Sequence, residues 1–282
     1  MTTRGRAVRG VVARVPVSKV PEVTAYFWAV KVLSTTVGET GADFVIDNVG
    51  LGLAGTSVLA ALVLAVALCA QVRASRYVPG LYWTAVVLVS VVGTLLSDNL
   101  TDNVGVPLEV STAGFAVLLG AVFAMWWARE GTLSIRSVVT RRRELFYWSA
   151  VLVTFALGTA AGDLLAERLD LGYRNSVLVF AATIAVVLVA HYGLPRGTRL
   201  GAVGAFWAAY VLTRPLGASL GDWLAQPHDA GGLGLGVTAT SLVFLAAILG
   251  LVAYLSLTRI DTLDASAPTA GDLGPHTPPR EN

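Results

Sequence analysis

Ser34-Thr-Thr-Val-Gly38-Glu-Thr-Gly-Ala-Asp43 decides the fold, because its Gly and Asp, with Trp28 ten residues before that Gly, recur three more times. The copies read Trp28…Gly38…Asp43, Trp83…Gly93…Asp98, Trp148…Gly158…Asp163 and Trp207…Gly217…Asp222, with both spacings identical in all four. The chain is four copies of one unit. Thirteen residues after the first three Asp stands a hydroxyl, Thr56, Ser111 or Ser176, and three extra residues bring Thr238 into the same register in the fourth copy.

The 282 residues around this skeleton are 55% hydrophobic and only 13% charged, with a mean hydropathy of +0.69. A soluble domain carries about a quarter charged residues, so the chain reads as an integral membrane protein. Crossing the hydrocarbon takes about 20 mostly apolar residues per helix. Eight such runs can be drawn, near 21–44, 51–71, 79–100, 107–128, 144–166, 174–192, 199–224 and 234–257. Barrel strands would be shorter and would alternate apolar with polar residues. The expected fold class is therefore all-α: a polytopic membrane protein of eight transmembrane helices, built from four two-helix hairpins.

An even number of helices returns every copy to the side it started from. The repeats are thus parallel and related by pseudo-rotation about the membrane normal. The expected layout is a basic arm over 1–20, a membrane domain over 21–257 with repeats near 21–76, 77–130, 141–194 and 199–257, and a disordered Pro- and Gly-rich tail over 258–282. Pro21 suits the first turn of helix 1.

Charge placement sets the orientation. Arg4, Arg6, Arg9, Arg14 and Lys19 precede helix 1; Arg73 and Arg76 follow helix 2; Arg129, Arg136 and Arg141 to Arg143 follow helix 4; Arg196 and Arg199 follow helix 6. By the positive-inside rule these segments, and both termini, are cytoplasmic. The four Trp then begin the odd-numbered helices near the inner interface, where an aromatic belt accounts for them. The repeated Gly, with Gly41, Gly162 and Gly221 nearby, lets helices approach closely.

Parallel repeats place the four Asp at one depth, and residues four apart extend each into a stripe on one helix face. Helix 1 reads Lys31, Thr35, Glu39, Asp43, Asp47; helix 3 reads Ser90, Thr94, Asp98, Asp102; helix 5 reads Thr159, Asp163, Glu167; helix 7 reads Arg214, Asp222, Gln226, with Ala218 interrupting it. Charged groups inside a bilayer are costly and face one another or water, and acidic rings select cations. The candidate metal-binding residues are therefore Glu39, Asp43, Asp47, Asp98, Asp102, Asp163, Glu167 and Asp222. Lys31, Thr35, Ser90, Thr94, Thr159 and Arg214 are expected to line or gate the path below them. Lys31 and Arg214 would neutralise carboxylates when no cation is bound, and Glu39, the sole carboxylate at its level, is the candidate proton-linked group. The competing reading is that the Asp residues terminate helices and cap the next ones, which fits Asp47 and Asp102 better than Glu39 and Asp43.

All these ligands are hard oxygens, which suit Mg²⁺, Ca²⁺ or Mn²⁺ rather than copper. The lone Cys69 reads as a packing residue, and His191, His228 and His276 are too dispersed for a histidine metal site. No nucleotide-binding loop is present, and no helix carries a Ser/His or metal-ligand His pair.

The Trp and Gly-x4-Asp skeleton resembles that of a bacterial membrane-protein family defined by a repeat of unknown function. The resemblance covers about 21–257 and is closest from Lys19-Val-Pro-Glu-Val-Thr-Ala-Tyr-Phe-Trp28 through Asp43. The fourth copy departs from it with Pro215 before its Gly and Gln226 in place of an acid. It implies an architecture and a bacterial plasma-membrane location but no biochemistry. The residues themselves point to a secondary transporter or exporter of a divalent cation of the Mn²⁺ class. The alternative is a non-transporting sensor or assembly partner whose outer acidic surface binds cations or a protein. Enzymatic activity, a cofactor and a nucleic-acid partner are not expected. The partners are the lipid bilayer and a small inorganic cation, and the oligomeric state stays open.

Overall fold

The computed structural model describes residues 18–195 and 201–262, apart from the side chains of Asp47 and Val49. Most of the basic arm, Arg196, Arg199 and nearly all of the expected tail lie outside the described residues. Eight α-helices and no strand occur among them: α1 (Ala25–Val49), α2 (Gly52–Arg73), α3 (Pro79–Asp98), α4 (Leu108–Glu130), α5 (Arg141–Asp163), α6 (Tyr173–Leu188), α7 (Ala202–Ala225) and α8 (Val237–Thr258). The protein is all-α. Six of these helices, all but α1 and α7, are long and apolar enough to cross a membrane.

Helix α1 begins later than its apolar run. Thr24 caps it, its hydroxyl accepting from the Phe27 N–H at 3.4 Å, while Pro21 stays outside. The cap supplies an acceptor for an otherwise unpaired donor, which a proline cannot do. Helices α3 and α5 do not stop at their repeated Asp. Each continues through one π turn, Asn99–Asn103 after Asp98 and Leu164–Arg168 after Asp163.

The odd-numbered helices form a closed ring in the order α1, α3, α5, α7 and back to α1. The expected hairpins are not the packing unit. Each even-numbered helix lies mainly on the odd helix of the following repeat, α2 on α3, α4 on α5 and α6 on α7, and α8 lies on α1. Burial follows this plan: 61% of the apolar window is buried in α3 and α5, against 17% or less in the even helices. Those outer helices present Val58, Leu62, Val66, Val117, Met125, Val186, Leu242 and Leu249 to the surroundings. Apolar residues turned outward around a ring of buried polar ones are the arrangement of a multi-pass membrane protein, where the backbone is satisfied within each helix.

The repeated Gly holds the ring together. A Cβ at Gly38 would run into Ser90, at Gly93 into Phe155, at Gly158 into Arg214 and at Gly217 into Thr35. The residue met is in each case seven after the Trp of the next repeat, and the fourth contact returns to the first. The glycine removes side-chain bulk where two backbones must approach.

The four Trp are a correction. Trp83, Trp148 and Trp207 are buried, and Trp28 is partly so, inside the bundle rather than in a lipid-facing belt. The aromatic residue preceding each Trp packs on the Trp of the next repeat: Phe27 on Trp83 at 5.7 Å, Tyr82 on Trp148 at 5.5 Å, Tyr147 on Trp207 at 6.2 Å and Phe206 on Trp28 at 5.8 Å between ring centroids. The Tyr82 and Tyr147 hydroxyls are hydrogen-bonded to each other. This collar closes one end of the ring.

The collar end also holds the start of the described chain. Lys19, expected only as a topology charge, is buried and pairs with the fully buried Glu144 at 2.9 Å. Its ammonium also donates to the Val72 carbonyl, and Gln71 donates to the other Glu144 oxygen.

Candidate functional site

At the opposite end the odd helices spread around a cavity of about 540 Å³. Its lining includes Glu39, Asp43, Asp98, Asp102, Asp163, Glu167 and Asp222. Every candidate carboxylate whose side chain is described thus faces one space, and Asp47 alone lies outside the described side chains. Asp43, Asp98, Asp163 and Asp222 come together because they hold equivalent positions of their repeats on four neighbouring helices. The π turns after Asp98 and Asp163 carry Asp102 and Glu167 onward to the same lining.

The carboxylates surround the cavity without converging. Among the described residues no three His, Cys, Asp or Glu form a group that could hold one metal ion. The expected direct coordination set is therefore not a preformed cage. The four repeated Asp stand on four separate helices around a cavity of about 540 Å³.

The floor of the cavity is Glu39, and beneath it the polar path is packed shut. Arg214, wholly buried, directs Nη2 to Glu39 Oε2 at 2.9 Å, to Thr159 Oγ1 at 2.7 Å and to Thr94 Oγ1. Its Nη1 donates to the Thr35 carbonyl at 3.3 Å. Thr94 also donates to Glu39 Oε2 at 3.2 Å. One guanidinium thus ties the fourth repeat to the other three. Such a charge-assisted network is stronger than neutral hydrogen bonds, and the low dielectric around it makes any missing partner costly.

Not every expected path residue lines the path. Thr35 is wedged against Gly217, with its hydroxyl bonded to the Val32 and Thr213 carbonyls. Ser90 is wedged against Gly38. Both lie between helices because position seven after the Trp is the ring contact. Lys31, one turn deeper, does not reach Glu39. Its ammonium has no hydrogen-bond partner and lies over the Phe155 and Tyr210 rings, 4.4 and 4.2 Å from their centroids, a cation–π arrangement.

The repeated hydroxyls pack where the even helices enter. Thr56, Ser111 and Ser176 are buried near the starts of α2, α4 and α6. In the fourth repeat Thr238 is exposed, and the buried residue is Thr240, the fourth of α8 as Ser111 is the fourth of α4. The intervening loop is two residues longer than the three-residue allowance assumed from spacing.

The collar residues Phe27, Tyr82, Tyr147 and Phe206 went unread in the sequence, although an aromatic residue stands before every repeated Trp. With four equivalent carboxylates on one cavity and four equivalent glycines closing one ring, the repeat is defined in space as well as in sequence. Residues 26–77, 81–132, 146–196 and 205–261 each match the family described as Repeat of Unknown Function (DUF347). The chain belongs to the DUF347 family. No curated protein and no solved structure matches it. The DUF347 repeat therefore supplies the architecture and leaves the chemistry to the residues.

Proposed function

We propose that the protein is a secondary transporter or exporter of a divalent metal cation of the Mn²⁺ class. The carrying observation is that carboxylates from all four repeats line one cavity whose floor is the Glu39–Arg214 pair. An acidic cavity concentrates cations, its oxygen donors suit hard divalent ions, and hydrated entry is compatible with carboxylates that surround rather than cage the ion. All eight helices cross the bilayer in this reading, because the charges on α1 and α7 are enclosed by the ring instead of facing lipid. The repeats then relate by pseudo-rotation about the membrane normal, parallel and four in number.

The basic residues Lys19, Arg73, Arg129, Arg136 and Arg143 flank the collar end of the helices. That end is cytoplasmic, both termini with it, in a bacterial plasma membrane. The cavity opens outward, the collar is the inner closure, and transport requires the collar and the Arg214 network to rearrange. A non-transporting sensor is the second reading, favoured by the depth of packing between Glu39 and the collar.

Purified protein in proteoliposomes, challenged with Mn²⁺, Mg²⁺ and Ca²⁺ gradients, tests the proposal. Flux of at least one of these ions that is lost in Asp98→Asn supports it. Binding without flux selects the sensor, and neither binding nor flux for any of the three would overturn both.

A further inference from the structure

We infer that the Arg214 guanidinium is a built-in substitute for the cargo, seated in a second, deeper cation site that Glu39, Thr94 and Thr159 form beneath the carboxylate cavity. The inference rests on reading that cavity as a cation path. Three repeats each send one hard oxygen to the same point: Glu39 Oε2 from the first, Thr94 Oγ1 from the second and Thr159 Oγ1 from the third. These residues are equivalent, each eleven after its Trp. The fourth repeat has Ala218 there, which offers no ligand, and instead delivers a positive group from one turn below. A carboxylate, two hydroxyls and the nearby Thr35 carbonyl are donors that a partly dehydrated hard cation accepts.

Glu39 belongs to both places, lining the cavity and binding Arg214. A cation arriving at the deepest carboxylate therefore competes with the guanidinium for the same oxygen. The displaced guanidinium has an aromatic face within reach, since Arg214 Cζ already stands 5.7 Å from the Phe155 centroid. Lys31 Nζ lies over that same ring, 4.4 Å from its centroid. Occupation by a tethered cation weakens apparent binding by the fraction of time the site is open. This lets cargo be released again rather than trapped.

Isothermal titration of MnCl₂ into the full-length protein in detergent tests this. Arg214→Met keeps the methylene groups that pack on Gly158 while deleting the charge. Arg214→Gln, which also deletes the charge but keeps a polar end group, replaces it if the methionine variant aggregates. Expected is Mn²⁺ binding at least about tenfold tighter than wild type, since the competing occupant is gone, with the gain erased in Arg214→Met/Glu39→Gln. Wild-type binding with no gain in either Arg214 variant overturns the deep site and leaves the transport proposal standing. Binding only after Arg214 is replaced supports the deep site and overturns transport by the wild-type chain. No binding in any of them overturns both.

Discussion

Gly217 lies against the side chain of Thr35, so the fourth repeat closes on the first. A Cβ there would overlap the Thr35 side chain and crowd its backbone, which cannot retreat without separating α1 from α7. Overpacking of this kind costs about 1–3 kcal/mol. Gly217→Ala and Gly38→Ala should each lower thermal stability in detergent by that amount. Gly114→Ala and Gly250→Ala, where a Cβ meets nothing within 4 Å, should not. A loss at Gly114 equal to that at Gly217 would show that close approach is not the reason for the repeated glycine.

Cation-dependent stability separates a binding site from a set of helix caps. A ligand at about 100 times its dissociation constant stabilises the folded state by about 2.7 kcal/mol. Wild-type protein should melt later with Mn²⁺ present, and Asp43→Asn and Asp98→Asn should each remove that increment while keeping monodispersity. A lost cap costs about 1 kcal/mol with or without metal, so an equal drop in both conditions would favour the cap reading.

Glu39 and Arg214 form a buried ion pair inside the ring. Removing one partner of a buried ion pair costs about 3–5 kcal/mol. Glu39→Gln should therefore destabilise the chain strongly, and Arg214→Met/Glu39→Gln should be less impaired than the sum of the single changes. A double-mutant cycle on urea or thermal unfolding measures the coupling. In proteoliposomes Glu39→Gln should reduce flux more than it reduces binding at the Asp43 level, whereas Asp43→Asn should reduce both. Wild-type flux with unchanged pH dependence in Glu39→Gln would reject a coupling role.

Lys19 and Glu144 fasten the segment before α1 across the collar end. With the Glu144 side chain fully buried, Glu144→Gln should leave the ammonium without its counter-charge and cost about 3 kcal/mol. In a Cys69→Ala background, Ser18→Cys, buried in the wild type, should become reactive to thiol reagents when Glu144→Gln is added. Unchanged reactivity would mean that the other contacts of residues 18–20 suffice.

Orientation is open to direct labelling. Asn103→Cys in the same background sits beside the carboxylate cavity and should react with an impermeant thiol reagent from outside the cell, while Arg136→Cys should not. The reverse pattern would invert the proposed topology.

The amino-acid sequence alone pointed to the helical class, the four-copy plan, the shared level of the carboxylates and a close helix approach at the repeated glycine. Those follow from hydropathy, spacing and the parity of a two-helix repeat, all local properties of the chain. It also picked out Thr94, Thr159 and Arg214 as polar residues below the Asp level, though not which of them touch. Only the tertiary structure decided that each even helix lies on the next repeat, that Thr35 and Ser90 face neighbouring helices, and that Arg214 rather than Lys31 reaches Glu39. Only there, too, do Phe27, Tyr82, Tyr147 and Phe206 become a collar, with Trp83 and Trp148 turned into the bundle rather than outward. The physical reason is that an apolar side chain is equally at home against lipid or against another helix, so hydropathy marks the span and is silent about its inward face. That face is set by where small residues let backbones meet, and by which long side chain can then reach across the ring.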